Sequence, residues 1–132
     1  MILVDSNVLI DVIQDDPVWA DWSLRQLQLA RAKQKLAINA VILAELAVNY
    51  RSPGELKQRL DAVGVVTKAV PDEAAFLAGQ TFLMYRRGRG VTSGVLPDFF
   101  IGAHAQVAGY TLLTRDVARY KTYFPAVTLI HP

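Results

Sequence analysis

The sequence predicts an α/β fold, a parallel sheet of about five short strands covered by helices on both faces. Three observations lead there. The strand-like apolar runs are only three to five residues long, and helical stretches separate them. The runs are apolar at consecutive positions rather than alternating, as strands buried on both faces require. Capping residues and glycines punctuate the helices at the expected ends.

Ile2-Leu3-Val4 opens as a strand and meets an acid, Asp5, at once. Residues 8–13 are apolar with Asp11 inside them, and Asp15-Asp16-Pro17 breaks the run. Asp16 before Pro17 marks the start of a helix over about 18–35, rich in Ala, Leu, Gln and Arg. A second strand covers 36–38, and Asn39 caps a helix over about 40–50. Ser52-Pro53-Gly54-Glu55 reads as a capping box for a helix ending near Gly64. A third strand follows at 65–67, then a helix over about 73–86 after Pro71-Asp72. Residues 87–95 hold three glycines with Thr and Ser and read as a loop. Pro97-Asp98 starts a helix that stops at Gly109, and strands at 110–114 and 127–130 complete the set. No repeat, low-complexity stretch or linker interrupts this order, so one domain is expected over 1–132.

The composition narrows the function class. With 132 residues, 52% of them apolar and 20% charged, the chain can fill a core and is unlike a disordered segment. It has no Cys, which excludes disulfides and thiolate metal sites. No apolar run approaches the ~18 residues of a membrane span, and the N-terminus lacks the pattern of a signal peptide. A small soluble protein of the cytoplasm, with no membrane partner, is expected.

Ligands of open parallel sheets gather beyond the carboxyl ends of the strands. Asp5 follows the first strand, and Asp116 lies just past the fourth. Asp98 begins the preceding helix, and Glu45 stands in the helix after strand two. Each has a plain alternative: Asp98 as a helix cap, Glu45 as a solvated helix residue, Asp116 as a turn residue. Together they form a pattern of acids brought from distant parts of the chain to one sheet edge. Clustered carboxylates repel, and a divalent cation relieves the conflict. Oxygen ligands without Cys favour Mg²⁺ or Mn²⁺ over Zn²⁺. Metal-assisted phosphodiester hydrolysis is the enzyme hypothesis that follows.

Four segments also resemble the acidic motifs of PIN-domain ribonucleases. Val4-Asp5-Ser6-Asn7-Val8-Leu9-Ile10-Asp11 is similar to the first and Asn39-Ala40-Val41-Ile42-Leu43-Ala44-Glu45-Leu46 to the second. Leu96-Pro97-Asp98-Phe99-Phe100-Ile101-Gly102-Ala103-His104-Ala105 resembles the third, and Leu112-Leu113-Thr114-Arg115-Asp116 the fourth. Length and compactness look most like VapC-type toxins of toxin–antitoxin pairs. The resemblance implies a three-layer α/β/α sandwich and an endoribonuclease using one or two Mg²⁺ (or Mn²⁺) ions. It makes Asp5, Glu45, Asp98 and Asp116 the catalytic and metal-binding acids, Asp5 and Asp98 touching the ion directly. Asn7, Thr114 and Ser6 are then groups that orient carboxylate or water, although Asn7 and Ser6 could equally serve the local backbone. Metal-activated water would attack the phosphodiester in line and leave a 5′-phosphate and a 3′-hydroxyl.

Charge fits a polyanionic substrate. Setting aside the four site acids leaves eight acids against fourteen bases. Arg86, Arg87 and Arg89 are the densest basic cluster and precede the segment leading to Asp98, so they are expected to grip RNA phosphates. Arg115 and Arg119 are weaker candidates for the same task. Arg31, Lys33 and Lys35 read as an ordinary helix end, and Asp11 as pointing away from the site. His104 is expected to face packing or solvent.

The helix around Trp19 carries Trp22, Leu29, Leu27, Ala20 and Leu24 over roughly 220° of its circumference. One core needs a stripe of only about 100°. The surplus predicts an antitoxin or dimer contact at Trp19, Trp22, Leu27 and Leu29, with simple core packing as the alternative. The resemblance implies a VapB-type antitoxin and a homodimer.

Competing readings are weaker. Haloacid-dehalogenase-like phosphatases need an Asp at the place of Asn7, and receiver domains need an acidic pair and a late Lys. A PIN ribonuclease of RNA processing or decay, without an antitoxin, would share the same site. A catalytically inactive PIN module binding RNA or protein is the alternative of another class.

Overall fold

The computed structural model describes residues 1–89 and 94–132, except the side chain of Arg89. Strands β1 (Ile2–Val4), β2 (Leu36–Ile38), β3 (Val65–Thr67), β4 (Thr111–Leu113) and β5 (Leu129–Ile130) form one sheet in the order β3-β2-β1-β4-β5. Every pairing is parallel. Side chains alternate between the faces of a strand. Ile2, Leu3 and Val4 are nonetheless all buried, as are Leu36, Ala37 and Ile38, so both faces of the central strands are covered. The expected α/β architecture is therefore the one observed.

The helices are α1 (Ser6–Ile13), α2 (Ala20–Lys33), α3 (Ala40–Ala47), α4 (Pro53–Val63), α5 (Asp72–Arg89), α6 (Leu96–Ala108) and α7 (Ala118–Tyr123). Two of the expected caps are in place. Asn39 Oδ1 accepts from the Ile42 amide, and Ser52 Oγ from the Glu55 amide. Gly109 closes α6 at φ 71°, a left-handed conformation that costs a residue with a Cβ.

Several boundaries differ from expectation. Asp16 does not open α2 directly. Its carboxylate accepts from the Val18 and Trp19 amides and closes a turn first, so α2 starts at Ala20 and ends two residues before Lys35. Helix α3 stops at Ala47, where Asn49 and Tyr50 turn back on Leu46 and Ala47. Helix α5 runs on to Arg89 instead of ending at Arg86, because glycine at one exposed position costs only about 1 kcal/mol and does not break a long helix. The rest of the expected loop, residues 90–93, lies outside the described residues. Helix α7 was not anticipated: Val117 to Phe124 offered only a short mixed stretch with no cap.

An aromatic cluster fixes α5, α6 and α7 to one another. Tyr85 and Tyr123 each stand 5.3 Å, ring centre to ring centre, from Phe99. Helix α6 approaches Phe124 so closely that a Cβ on Gly102 would stand 2.3 Å from its ring. Among the described residues no helix is long and apolar enough to cross a membrane.

Candidate active site

The chain fills the sheet outward from β1, first through β2 and β3, then through β4 and β5. The order therefore reverses between β1 and β4, where a crevice opens beyond the carboxyl ends of the strands. Asp5 and Thr114 stand side by side there, each directly following a strand. The register pairs Val4 with Leu113, and the Asp5 amide donates to the Leu113 carbonyl at 2.9 Å.

Asp5 occupies the N-cap position of α1, yet its carboxylate makes no capping hydrogen bond. It turns to the sheet edge instead. Thr114 Oγ1 donates to Asp5 Oδ2 at 2.8 Å, Tyr120 Oη at 3.0 Å and Asn7 Nδ2 at 3.3 Å. Oδ1 meets Ser6 Oγ, at 3.4 Å, among the described side chains. One oxygen is thus locked by three donors from three parts of the chain, and the other is left for the site. Ser6 Oγ makes its shorter bond, 2.9 Å, to Glu45 Oε1. Thr114 Oγ1 in turn accepts from the Asp116 amide at 3.0 Å, which sets the turn carrying Asp116.

Burial, then the neighbouring Glu45 charge, raises the Asp5 carboxyl above its ordinary value, with Thr114 and Tyr120 opposing. Burial also raises Glu45, helped by Asp98. Asp98 is pushed up to about 6, chiefly by burial and next by the Asp5 charge, with Asp116 adding to it and Arg119 opposing. The four acids share one field although they come from β1, α3, α6 and the turn after β4. Asp116 is the exposed member, and Asp5 the most enclosed, with 3% of its surface accessible.

The donor set suits a hard divalent cation. Every candidate ligand is an oxygen, and a cation would offset both the burial that chiefly raises Asp5, Glu45 and Asp98 and the repulsion that adds to it. Among the described residues, no three acids or imidazoles stand close enough to cage one ion. Asp98 already holds a cation: Arg119 on α7 pairs with its Oδ2.

The other expected site residues fall in different places. Arg86 and Arg87 are exposed near the end of α5, and the Arg89 side chain lies outside the described residues. Arg115 is committed elsewhere. Its Nε and Nη2 donate to Asp11 at 2.7 and 2.9 Å, and its guanidinium lies over the Trp19 ring at 5.0 Å. Asp11 is turned to Arg115 instead of the other acids; it is buried and also accepts from Ser23 Oγ at 2.6 Å. Leu27 is a correction too, since it is buried in the core and offers nothing to a partner. Trp22 is half-buried against that core, Trp19 is half-buried beneath Arg115, and Leu24 and Leu29 are exposed. His104 is buried with Nδ1 against Asn39 Nδ2 at 3.0 Å, and burial lowers its pKa. A concavity of about 680 Å³ between α3, α4 and β3 holds none of the four acids.

Tyr120 is the site residue that the sequence did not disclose. Without α7, nothing tied its ring to an acid 115 positions away.

The model of the PIN domain matches residues 2–125. This chain belongs to the PIN domain family. Its fold is shared with solved structures at low identity. A chain of the VapBC2 complex from Rickettsia felis, bound to a fragment of promoter DNA, aligns with a TM-score of 0.73 and 22% identity, covering 100% of this chain and 99% of that one. A chain of the DNA-bound VapBC complex from Salmonella typhimurium gives 0.67 and 18%, covering 98% and 96%. A chain of FitAcB from Neisseria gonorrhoeae gives 0.65 and 19%, with 98% and 96% covered. No curated protein matches the sequence of this PIN domain.

Proposed function

We propose that this PIN domain is a metal-dependent endoribonuclease of the VapC toxin type, acting in the cytoplasm and neutralised by a VapB-type antitoxin. The observation that carries the reading is Asp5, its Oδ2 held by Thr114, Tyr120 and Asn7, with its charge coupled to those of Glu45 and Asp98. An acid fixed in this way at a sheet edge serves binding rather than folding. Bound Mg²⁺ or Mn²⁺ would supply Lewis-acid charge at the scissile phosphate. Asp5 and Asp98 would hold the ion, and Glu45 and Asp116 would hold its waters. Ser6 keeps Glu45 aimed at the site through its 2.9 Å bond. Arg86 and Arg87 would take backbone phosphates on either side of the cleaved bond, which gives grip without sequence reading. The products would carry a 5′-phosphate and a 3′-hydroxyl.

The toxin reading is supported by the family, and by the toxin–antitoxin complexes among proteins of the same fold. Exposed Leu24 and Leu29 on α2 offer apolar surface to a partner, whether antitoxin or second copy.

The test is cleavage of a mixed RNA pool by purified, partner-free protein, with Mg²⁺ or Mn²⁺ against EDTA, and with Asp98→Asn in parallel. Cleavage that needs the metal and is lost in the variant is expected. Cleavage that survives both EDTA and Asp98→Asn would overturn the reading.

A further inference from the structure

We infer that Arg119 is the site's built-in counter-ion, which must leave Asp98 before a divalent ion can bind there. The inference rests on the metal-dependent reading above. Asp98 sits in the field of Asp5, Glu45 and Asp116, and the cation meeting it is the Arg119 guanidinium. The two arginines near the site differ in kind. Arg115 grips a carboxylate that is 3% exposed with two hydrogen bonds. Arg119 reaches a carboxylate that is 22% exposed, through Nη1 alone among the described contacts. A bidentate buried pair is structural, whereas a single bond at the rim can be exchanged.

A divalent ion on Asp98 and a guanidinium on the same oxygen would repel strongly at that distance. An ion taking that oxygen would therefore displace Arg119. The side chain does not then wander, because its guanidinium lies over the Tyr85 ring, 5.8 Å from the centroid. Tyr85 is itself fixed between Phe82, Phe99 and Tyr123. Displaced from Asp98 but tethered by Tyr85, Arg119 stands at the mouth of the site as a donor for an RNA phosphate. Metal entry and phosphate capture are in this way coupled through one side chain: Arg119 opposes the ion in the free protein and stops opposing it when a phosphate takes its charge.

Mn²⁺ binding, read from the electron paramagnetic resonance signal of the free ion, tests this without any cleavage assay. Arg119→Gln should bind Mn²⁺ roughly tenfold more tightly than the parent protein. Arg119→Lys, which keeps the charge, should stay near the parent. Lys121→Gln removes one charge from the exposed side of the same helix and should shift the affinity less than about twofold. Unchanged or weaker binding in Arg119→Gln, with the parent binding Mn²⁺, overturns the counter-ion role and leaves the nuclease reading intact. Absence of Mn²⁺ binding in both overturns the metal-dependent reading and this inference with it. Should Arg119→Gln fail to fold, the guanidinium nitrogen signals of the parent decide the matter, with Arg119→Lys providing the assignment. Saturating Mg²⁺ should move the Arg119 signal, and a stationary signal with bound Mg²⁺ overturns the inference.

Discussion

Arg115 and Asp11 form a two-bond ion pair, at 2.7 and 2.9 Å, that ties the turn after β4 to the inner face of α1. The same turn carries Asp116, and the Arg115 amide donates to Asn7 Oδ1 at 3.2 Å. The pair is therefore a brace for the site. Arg115→Ala leaves Asp11 buried without its cation and should destabilise the fold by about 3–5 kcal/mol in urea unfolding. A loss below about 1 kcal/mol would mean the pair is no brace.

The arginines should separate in RNA binding. Arg86→Ala with Arg87→Ala removes two exposed charges, and the slope of log affinity against log salt should shrink by about 1.4 for single-stranded RNA. An unchanged slope would make this end of α5 a solvated surface.

Asp98 predicts an inverted pH dependence of stability in EDTA. Its carboxyl is raised from 3.8 to about 6, so the folded state binds the proton more tightly than the unfolded chain. Stability from this group is complete below pH 3.8 and is lost as the pH rises through about 6. A shift of this size corresponds to about 3 kcal/mol, and screening at a part-exposed carboxylate reduces the expectation to about 2 kcal/mol. Asp98→Asn should flatten most of that fall, read from urea midpoints between pH 4 and 7. Asp5 and Glu45, raised in the same direction, leave a residual slope.

Tyr120→Phe removes one of the three donors that hold Asp5 Oδ2 and favour its charged form. The acidic limb of the pH–rate profile should move to higher pH, and stability at neutral pH should fall by about 1–2 kcal/mol. A fall in rate with no movement of that limb would show that the hydroxyl does not act through Asp5.

Gly102 is required by the Phe124 ring, not by its backbone conformation. Gly102→Ala gains helix propensity, yet puts a methyl inside van der Waals distance of a buried ring. The clash should prevail, with a net loss of about 2 kcal/mol in thermal unfolding. A neutral or stabilising result would mean that α6 can shift away from α7.

The sequence by itself determined the order of the strands and of the helices other than α7, the caps at Asn39 and Ser52, and four acids at or near the carboxyl end of the sheet. Those features are local: period, capping chemistry and an acid where a strand stops can all be read within a few residues. What each polar side chain does was decided only by the tertiary structure. Arg115 and Arg119 look alike in the sequence, and nothing there pairs either of them with Asp11 or Asp98. Their partners lie 104 and 21 residues away, and which pair is braced and which is exchangeable follows from burial and bond number. Leu27 and Leu29 carry the same side chain on the same helix, yet one is core and the other surface, because the rotation of α2 is set by what it packs against. Tyr120 reached Asp5 through α7, a helix too short and weakly capped to be legible before β4 and β5 fixed its ends.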